Sequence, residues 1–209
     1  MDRAVEAVVA EYAARAEREH SDFGPTSSGL GRDERLLEVG PQGALLLNMI
    51  AKDGGCRHIL ELGTSYGYST LWLAEAARQT GGKVITLDLA DYKQAYAAEA
   101  LGRAGLADVV EFRNGDALKI IPTLEDGLDL VFVDLWKDLY VPCLDLFYPK
   151  LAPGAVIVAD NMLRPAMDRT NALNYRRAVR AKPRITSVLL DLGQGLEVSR
   201  FAGPQDEGL

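Results

Sequence analysis

Acidic and amide side chains follow two apolar segments of this 209-residue chain, where they could hold a metal ion. Asp134 comes directly after the apolar run 128–133, and Asp160 and Asn161 come directly after the run 155–159. A carboxylate at the end of a buried strand is costly unless a cation or hydrogen-bond donors meet it. Neighbouring strands lie about 4.8 Å apart, so the three side chains can converge on one ion. Their oxygens are hard ligands, which favour Mg²⁺ or Ca²⁺ over zinc.

A second set of residues, after the first two apolar runs, suits a nucleoside. Gly63 and Gly67 permit a tight turn and a close approach of a ligand to the backbone. Asp88 stands 21 residues beyond Gly67, where a carboxylate can accept hydrogen bonds from ribose hydroxyls. Ser65 occupies the position where a dinucleotide fingerprint requires glycine, so a nucleoside without pyrophosphate is favoured. The alternatives are a glycine turn that only packs a strand on a helix and, for Asp134, a helix cap or a contact with a cofactor amine.

Apolar runs of strand length alternate with helical patterns from about residue 33 onward, which predicts a parallel sheet covered by helices on both faces. Asp91 is the predicted N-cap of the second helix and Gly105 its C-terminal stop. The runs 185–190 and 196–201 flank a Gly-containing turn and predict a closing hairpin. The other predicted strands are 57–62, 83–88, 109–113, 128–133 and 155–159, and the helices are about 68–80, 91–104, 116–121 and 137–151.

Length and charge limit the class of protein. A chain of this length fits one domain over residues 1–209, with an N-terminal helix and loop over 1–32 and a catalytic core over 33–201. The net charge of −7 argues against a nucleic-acid partner. One basic run is the exception, interpreted as a solvated helix face or a site for an acidic substrate tail: Arg176, Arg177, Arg180, Lys182 and Arg184.

Two cysteines and the absence of a long apolar run indicate the compartment. No run approaches the roughly 20 apolar residues that cross a bilayer, so no membrane association is expected. Cys56 and Cys143 do not form a disulfide framework, which is typical of a reducing compartment. A cytoplasmic protein is therefore predicted.

Six ordered motifs run through about residues 36–201: ILELGTSYGYST, VITLD, NGDAL, VFVDLWKDLY, VIVADNML and GLEVSRF. They resemble those of the class I S-adenosylmethionine-dependent O-methyltransferases, of the catechol and caffeoyl-CoA O-methyltransferase types. The resemblance implies a Rossmann-like α/β methyltransferase fold, with a seven-stranded, mostly parallel sheet and a C-terminal antiparallel hairpin. Related proteins are commonly homodimers, and the amphipathic residues 2–19 could supply that interface.

The resemblance also implies roles for individual residues. Asp134, Asp160 and Asn161 match the family's three metal ligands, for Mg²⁺ or another divalent cation such as Mn²⁺ or Ca²⁺. Lys137 would be the general base for a phenolic hydroxyl, with Asp134 beside it, and Trp136 would wall the aromatic substrate. The alternatives are a surface lysine and a core tryptophan. The residues implied to bind S-adenosylmethionine are Val39, Glu61, Gly63, Ser65, Ser69, Asp88, Leu89, Asp116, Ala117 and Asp134.

One departure from the family pattern bears on the substrate. Val188 stands where the catechol-type enzymes carry a glutamate that grips the second hydroxyl, and the nearest acid is Asp191. The predicted function is therefore metal-dependent methyl transfer to a hydroxyl of a small phenolic acceptor, catechol-like or hydroxycinnamoyl-like. The alternatives are a nucleotide-dependent oxidoreductase, a non-catalytic nucleoside-binding protein and, as a minor one, an RNA methylase.

Overall fold

A computed structural model describes residues 1–21, 34–164 and 169–203 of the chain. The loop predicted over residues 21–31 lies, beyond its first residue, outside the described ranges. Within those ranges the strands are β1 (His58–Leu62), β2 (Lys83–Asp88), β3 (Val110–Asn114), β4 (Leu128–Val133), β5 (Leu151–Ala159), β6 (Ile185–Leu190) and β7 (Leu196–Phe201). The α-helices there are α1 (Arg3–Ser21), α2 (Pro41–Asp53), α3 (Tyr68–Thr80), α4 (Asp91–Arg103), α5 (Ala117–Ile120), α6 (Tyr140–Phe147) and α7 (Arg169–Ala181).

All seven described strands form one sheet in the order β3-β2-β1-β4-β5-β7-β6. Strands β1 to β5 pair in parallel, and β7 pairs antiparallel with both β5 and β6, so the predicted sheet and closing hairpin are confirmed. The strand order reverses between β1 and β4, which opens a crevice beyond their carboxyl ends. Leu62 pairs with Val133, and Val133 pairs with Ala159. The three strands β1, β4 and β5 therefore end side by side, and the residues that follow them begin next to one another at the same edge of the sheet.

Alternating side chains of the strands build two apolar layers, one on each face of the sheet. Ile59 and Phe132 pack with the helices α1 to α4, whereas Leu60 and Val133 pack with α5 to α7. The central strands β1 and β4 thus carry apolar side chains on both faces, as a parallel sheet between helix layers requires. The polar residues of the candidate site lie at or near the carboxyl ends of these strands and of β2 and β5.

The apolar face of α1 lies in the core of its own chain. Val5, Val8 and Tyr12 are 0%, 2% and 2% exposed and pack in the layer that holds α3 and α4. These apolar side chains are buried within the chain, so the apolar face of residues 2–19 is not available for the dimer interface expected there.

Three predicted element boundaries are wrong. The helix expected over 137–151 is an α-helix only in α6, flanked by single 3₁₀ turns, and Pro149 lies in the second turn. Strand β5 begins at Leu151, four residues before the predicted start, and its pairing with β4 is irregular where Pro153 and Gly154 interrupt the apolar pattern. Asp91 is the first residue of α4 rather than its N-cap, which is Ala90, whereas Gly105 follows the helix with φ 67° as expected for a stop.

Two arginines of the basic run pair with a buried carboxylate. The guanidinium of Arg180 donates to both carboxylate oxygens of Glu197, at 2.6 and 3.2 Å, and that of Arg176 lies 3.4 Å from the same carboxylate. Glu197 is fully buried on β7. Both arginines therefore neutralise a buried charge, Arg176 with a side chain that is 22% exposed and Arg180 with one that remains 44% exposed on the helix face.

Candidate active site

The turn between β1 and α3 requires glycine at two positions. Gly63 has φ 103°, and a Cβ there would overlap the carbonyl group of Asp134. Gly67 has φ 88°, and a Cβ there would lie 2.6 Å from the Cβ of Ala97. A side chain at either position would push the turn away from β4 or α4. We call residues 63–67 the glycine turn, which touches the start of the segment that carries Asp134.

Glu61 lies beneath the glycine turn and is fully buried. Its carboxylate accepts hydrogen bonds from the hydroxyls of Ser69 at 2.6 Å, Thr70 at 2.5 Å and Thr86 at 2.6 Å. Burial raises the pKa of Glu61 to about 7, the three hydroxyls act in the opposite direction, and the charge of Asp134 adds to the rise. Glu61 therefore joins the end of β1 to β2 and to the first turn of α3, and it holds the side chain of Ser69.

Asp88 joins the end of β2 to the glycine turn. One carboxylate oxygen accepts a hydrogen bond from the backbone N–H of Ser65 at 2.7 Å, and the other accepts from Ala90 N–H at 2.9 Å. Ser65 has φ 45°, so this hydrogen bond helps to hold a left-handed backbone conformation. Leu89 beside it is 63% exposed and offers apolar surface next to the carboxylate. Asp88 thus has a structural task besides its predicted contact with ribose.

The other predicted cofactor residues lie on both sides of this turn. Asp116 is the N-cap of α5 and accepts a hydrogen bond from Leu118 N–H at 2.9 Å, and Ala117 is 8% exposed. Residues 34–40 precede α2, and we call them the strap. Val39, in the strap, is 4% exposed, and the hydroxyl of Ser65 donates to a strap carbonyl, that of Leu36, at 3.4 Å.

Asp134 and Asp160 are held side by side by the sheet. Asp134 N–H donates to Leu62 O at 2.8 Å, and Asp160 N–H donates to Val133 O at 3.1 Å. Asp160 is 1% exposed, and its carboxylate accepts hydrogen bonds from the backbone N–H of Asn161 at 2.6 Å and from the Asn161 amide at 3.1 Å. Burial raises the pKa of both aspartates, and the charge of Asp134 adds to the rise at Asp160.

The donor set fits a hard divalent cation. Asp160 is buried and the side chain of Asp134 is 19% exposed, and two adjacent carboxylates that destabilise each other's charge would both be stabilised by a cation between them. Asn161 has φ 60°, which turns its side chain back toward Asp160, and a half-turn of its amide would present an oxygen instead of a nitrogen. Among the described residues there is no cluster of three or more His, Cys, Asp and Glu side chains that could bind a metal, so the third ligand here would be an amide.

The side chain of Lys137 folds back toward Asp134 and Asp160. Its amine donates to the hydroxyl of Tyr140 at 2.7 Å, to Leu135 O at 3.1 Å and to the carboxylate of Asp134 at 3.4 Å. Its side chain is only 13% exposed, so the alternative of a surface lysine is wrong. Trp136 is 56% exposed, so it is not a core tryptophan.

Tyr140 is a residue of this site that the sequence reasoning did not assign a role. It is fully buried, accepts the hydrogen bond from Lys137 and donates to Asp160 O at 3.3 Å. Burial, with the charges of Asp134 and Asp160, keeps the pKa of Tyr140 well above its usual value. Its spacing three residues beyond Lys137 on a helical segment was the signal that could have identified it.

The hairpin turn between β6 and β7 forms one wall near the metal ligands. Gly195 O accepts from Met162 N–H at 2.9 Å, and the guanidinium of Arg164 donates to Gly193 O at 2.6 Å and to Asp191 at 2.7 Å. Val188 lies in the middle of β6, opposite Val198, and not in this turn. Val188, at the position where the catechol-type enzymes grip the second hydroxyl, therefore lies within a strand. Asp191, the nearest acid, has its carboxylate paired with Arg164.

The described helices include none that is both long enough and apolar enough to span a membrane.

Over residues 60–162 the chain matches a family model described as a methyltransferase domain. It is similar to the O-methyltransferase TomG from Streptomyces achromogenes in complex with SAM, with a TM-score of 0.76 and 27% identity over 97% of this chain and 91% of that one. The fold is thus that of a class I methyltransferase.

Two relatives narrow this class to a family. The chain is 37% identical to a catechol O-methyltransferase from Niastella koreensis over 132 residues, 61% of this chain and 59% of that protein. It is 31% identical to the catechol O-methyltransferase of Sus scrofa over 82% of this chain and 96% of that one. The chain belongs to the class I S-adenosylmethionine-dependent O-methyltransferases, in the family of the catechol O-methyltransferases. The match spans less than two thirds of the Niastella protein.

Proposed function

We propose that the chain transfers a methyl group from S-adenosylmethionine to a hydroxyl of a small phenolic acceptor, catechol-like or hydroxycinnamoyl-like, with the help of a divalent cation. One observation carries the proposal. Asp134 lies between the glycine turn and the buried Asp160, with the amine of Lys137 on its carboxylate. A methyl donor, a cation and a base would thus meet within one short segment.

The cofactor would lie beyond the carboxyl ends of β1 and β2. The glycine turn and Ser69 would face its methionine end, together with Val39 of the strap. The carboxylate of Asp88 would accept hydrogen bonds from the ribose hydroxyls, and Leu89 would cover the adenine. Asp116 and Ala117 would border the adenine edge, where the Asp116 side chain already caps α5.

The residues at the ends of β4 and β5 would activate the acceptor. Asp134, Asp160 and Asn161 would hold Mg²⁺, which when bound supplies charge stabilisation for a developing phenolate. Lys137 would accept the proton of the acceptor hydroxyl, since its amine is already held beside Asp134. Trp136, exposed at the rim, would wall the aromatic ring.

The acceptor itself is proposed only as a class. Because no carboxylate stands where the catechol-type enzymes grip the second hydroxyl, a two-hydroxyl phenol of another shape is favoured over catechol. A cytoplasmic homodimer without a nucleic-acid partner is also part of the proposal, since the acidic net charge of −7 disfavours a phosphate backbone.

A methyl-transfer assay tests the proposal. Catechols, hydroxycinnamates and flavonoids would be offered with labelled S-adenosylmethionine, in Mg²⁺ and in excess chelator. We expect transfer to at least one of these phenols in Mg²⁺, loss of transfer in chelator and recovery when Mg²⁺ or Mn²⁺ is restored. Transfer that persists in chelator would refute the metal requirement. Binding of NADH without any response to S-adenosylmethionine would refute the proposed methyltransferase activity.

Variants locate the metal site in the same assay. Asp134→Asn and Asp160→Asn should each abolish the Mg²⁺-dependent transfer, and the double variant should be little worse, because the two carboxylates act on one ion. Asp145→Asn is the matched control, since its carboxylate pairs with Lys182 at 2.7 Å on the surface. Additive losses from the two site variants would show that the strand ends do not share an ion.

A further inference from the structure

The N-terminal helix α1 contacts the glycine turn directly. The hydroxyl of Tyr12 donates to Tyr66 O, within the turn, at 2.5 Å. The same hydroxyl lies 3.2 Å from the position that a Cβ of Gly67 would take. Tyr12 is 2% exposed, so this hydrogen bond is sheltered from water. A residue 54 positions earlier in the chain thus fixes the carbonyl orientation in the middle of the turn.

Arg15, one helical turn further along α1, contacts both the glycine turn and the strap. Its guanidinium lies 4.0 Å from the ring centroid of Tyr66 and 5.2 Å from that of Tyr96. The same group donates to Glu34 O at 3.0 Å and to the Glu19 carboxylate at 2.7 Å. A cation stacked on the turn is therefore also hydrogen-bonded to the backbone of the strap.

Glu19 completes the connection. It is 9% exposed, and its second carboxylate oxygen accepts a hydrogen bond from Leu36 N–H at 2.7 Å. The carbonyl of Leu36 accepts from the hydroxyl of Ser65 in the glycine turn at 3.4 Å. A closed ring of contacts therefore runs from α1 to the turn, from the turn to the strap, and from the strap back to α1.

Neither the turn nor the strap would keep its shape alone. Ser65 has φ 45° and Leu37 has φ 48°, and both residues carry a Cβ that disfavours the left-handed region. Such conformations persist where the surroundings determine them. The contacts from Tyr12, Arg15 and Glu19 are part of those surroundings, on the side of the turn that faces α1.

We propose that α1 is a positioning element of the cofactor site, which sets the gap between the glycine turn and the strap through Tyr12, Arg15 and Glu19. This inference rests on the proposed function, in which these two segments face the methionine end of S-adenosylmethionine. Docking of α1 and binding of the cofactor are then coupled, and the coupling acts equally in both directions. If α1 is loosened, the site is competent to bind in only a fraction of the molecules, and the apparent Kd equals the intrinsic Kd divided by that fraction.

Calorimetric titration with S-adenosylhomocysteine tests the coupling. Tyr12→Phe removes one hydroxyl and keeps the ring in the core, and we expect the Kd to rise about 3- to 10-fold, the equivalent of one net hydrogen bond. Arg15→Met, which loses the contacts to both segments, should raise the Kd further. Arg103→Met is the matched control, because it removes a surface ion pair to α1, Glu11 at 2.8 Å, that touches neither segment.

Hydrogen exchange of the wild-type chain gives a second measurement that does not depend on any variant. Saturating S-adenosylhomocysteine should slow exchange of the α1 amides. In the titration, the control variant Arg103→Met should bind S-adenosylhomocysteine like the wild type. Tight wild-type binding that both test variants retain, with unchanged α1 exchange, would overturn this inference alone. Absence of any binding by the wild type would overturn the proposed function and this inference with it.

Discussion

Replacing Glu61 by glutamine is expected to change how the stability of the cofactor-free chain depends on pH. Burial raises the pKa of this carboxyl from its usual 4.5 to about 7, because the folded chain favours the protonated form. The stabilisation from that proton is present in full below pH 4.5 and is lost as the pH rises through 7. Glutamine is neutral throughout and still offers an acceptor and two donors to the three hydroxyls.

The magnitude follows from the two pKa values. A rise from 4.5 to about 7, at 1.36 kcal/mol per pH unit, corresponds to roughly 3 kcal/mol of unfolding free energy. Most of this loss falls between pH 5 and pH 8. It is a sizeable fraction of the roughly 5–15 kcal/mol that stabilises a typical domain. For a chain of 209 residues it corresponds to a decrease in Tm of roughly 6–12 °C.

Denaturant unfolding at pH 5, 6, 7 and 8, without cofactor or metal, measures the effect. The stability of Glu61→Gln relative to the wild type should rise by about 2–3 kcal/mol across this range. Asp134 and Asp160 are present in both proteins, so the difference reports Glu61 together with its coupling to Asp134. Glu75→Gln is the control, since burial is outweighed there by Lys52 at 2.6 Å and the pKa of Glu75 stays below its usual value. A difference that is constant within about 0.5 kcal/mol would show that Glu61 does not gain a proton on folding.

Three other variants test individual residues. Asp88→Ala should weaken S-adenosylhomocysteine binding by roughly 1–3 kcal/mol in a calorimetric titration, because it removes the ribose acceptor and the hydrogen bond to Ser65, and an unchanged affinity would exclude that role. Lys137→Met should lower turnover on the order of 10²–10⁴-fold with little change in cofactor affinity, and part of the loss should be recovered at high pH. A variant with wild-type turnover at neutral pH would exclude Lys137 as the general base. Asp160→Asn should abolish the stabilisation by Mg²⁺, which at a hundredfold excess over the Kd is about 2.7 kcal/mol in the wild type, whereas an equal Mg²⁺-dependent rise in Tm in both proteins would place the ion elsewhere.

The sequence predicted the sheet and its closing hairpin because the signals are local. Apolar runs of strand length alternate with helical patterns along the chain, and the structure confirms them as β1 to β7. Some boundaries were wrong where the apolar pattern is interrupted. Strand β5 was predicted only over 155–159, yet Pro153 and Gly154 also lie within it, where the irregular pairing with β4 accommodates them. Lys137 was identified by its motif, whereas its partner Tyr140 was missed although its spacing was visible in the sequence; the structure showed its role by placing its hydroxyl on the Lys137 amine.

By itself the sequence indicated which chemistry the chain is suited to: a turn suited to a nucleoside, a carboxylate placed to accept from ribose, and oxygen side chains after two strands. These are properties of residue types and short spacings, which a linear chain displays. The tertiary structure decided how the groups constrain one another. That Asp160 is buried against Asp134, that Arg180 neutralises Glu197, and that Tyr12 fixes the glycine turn all depend on strand order and helix packing. Burial and the approach of residues distant in sequence are set by the whole core, so no short stretch of sequence contains them.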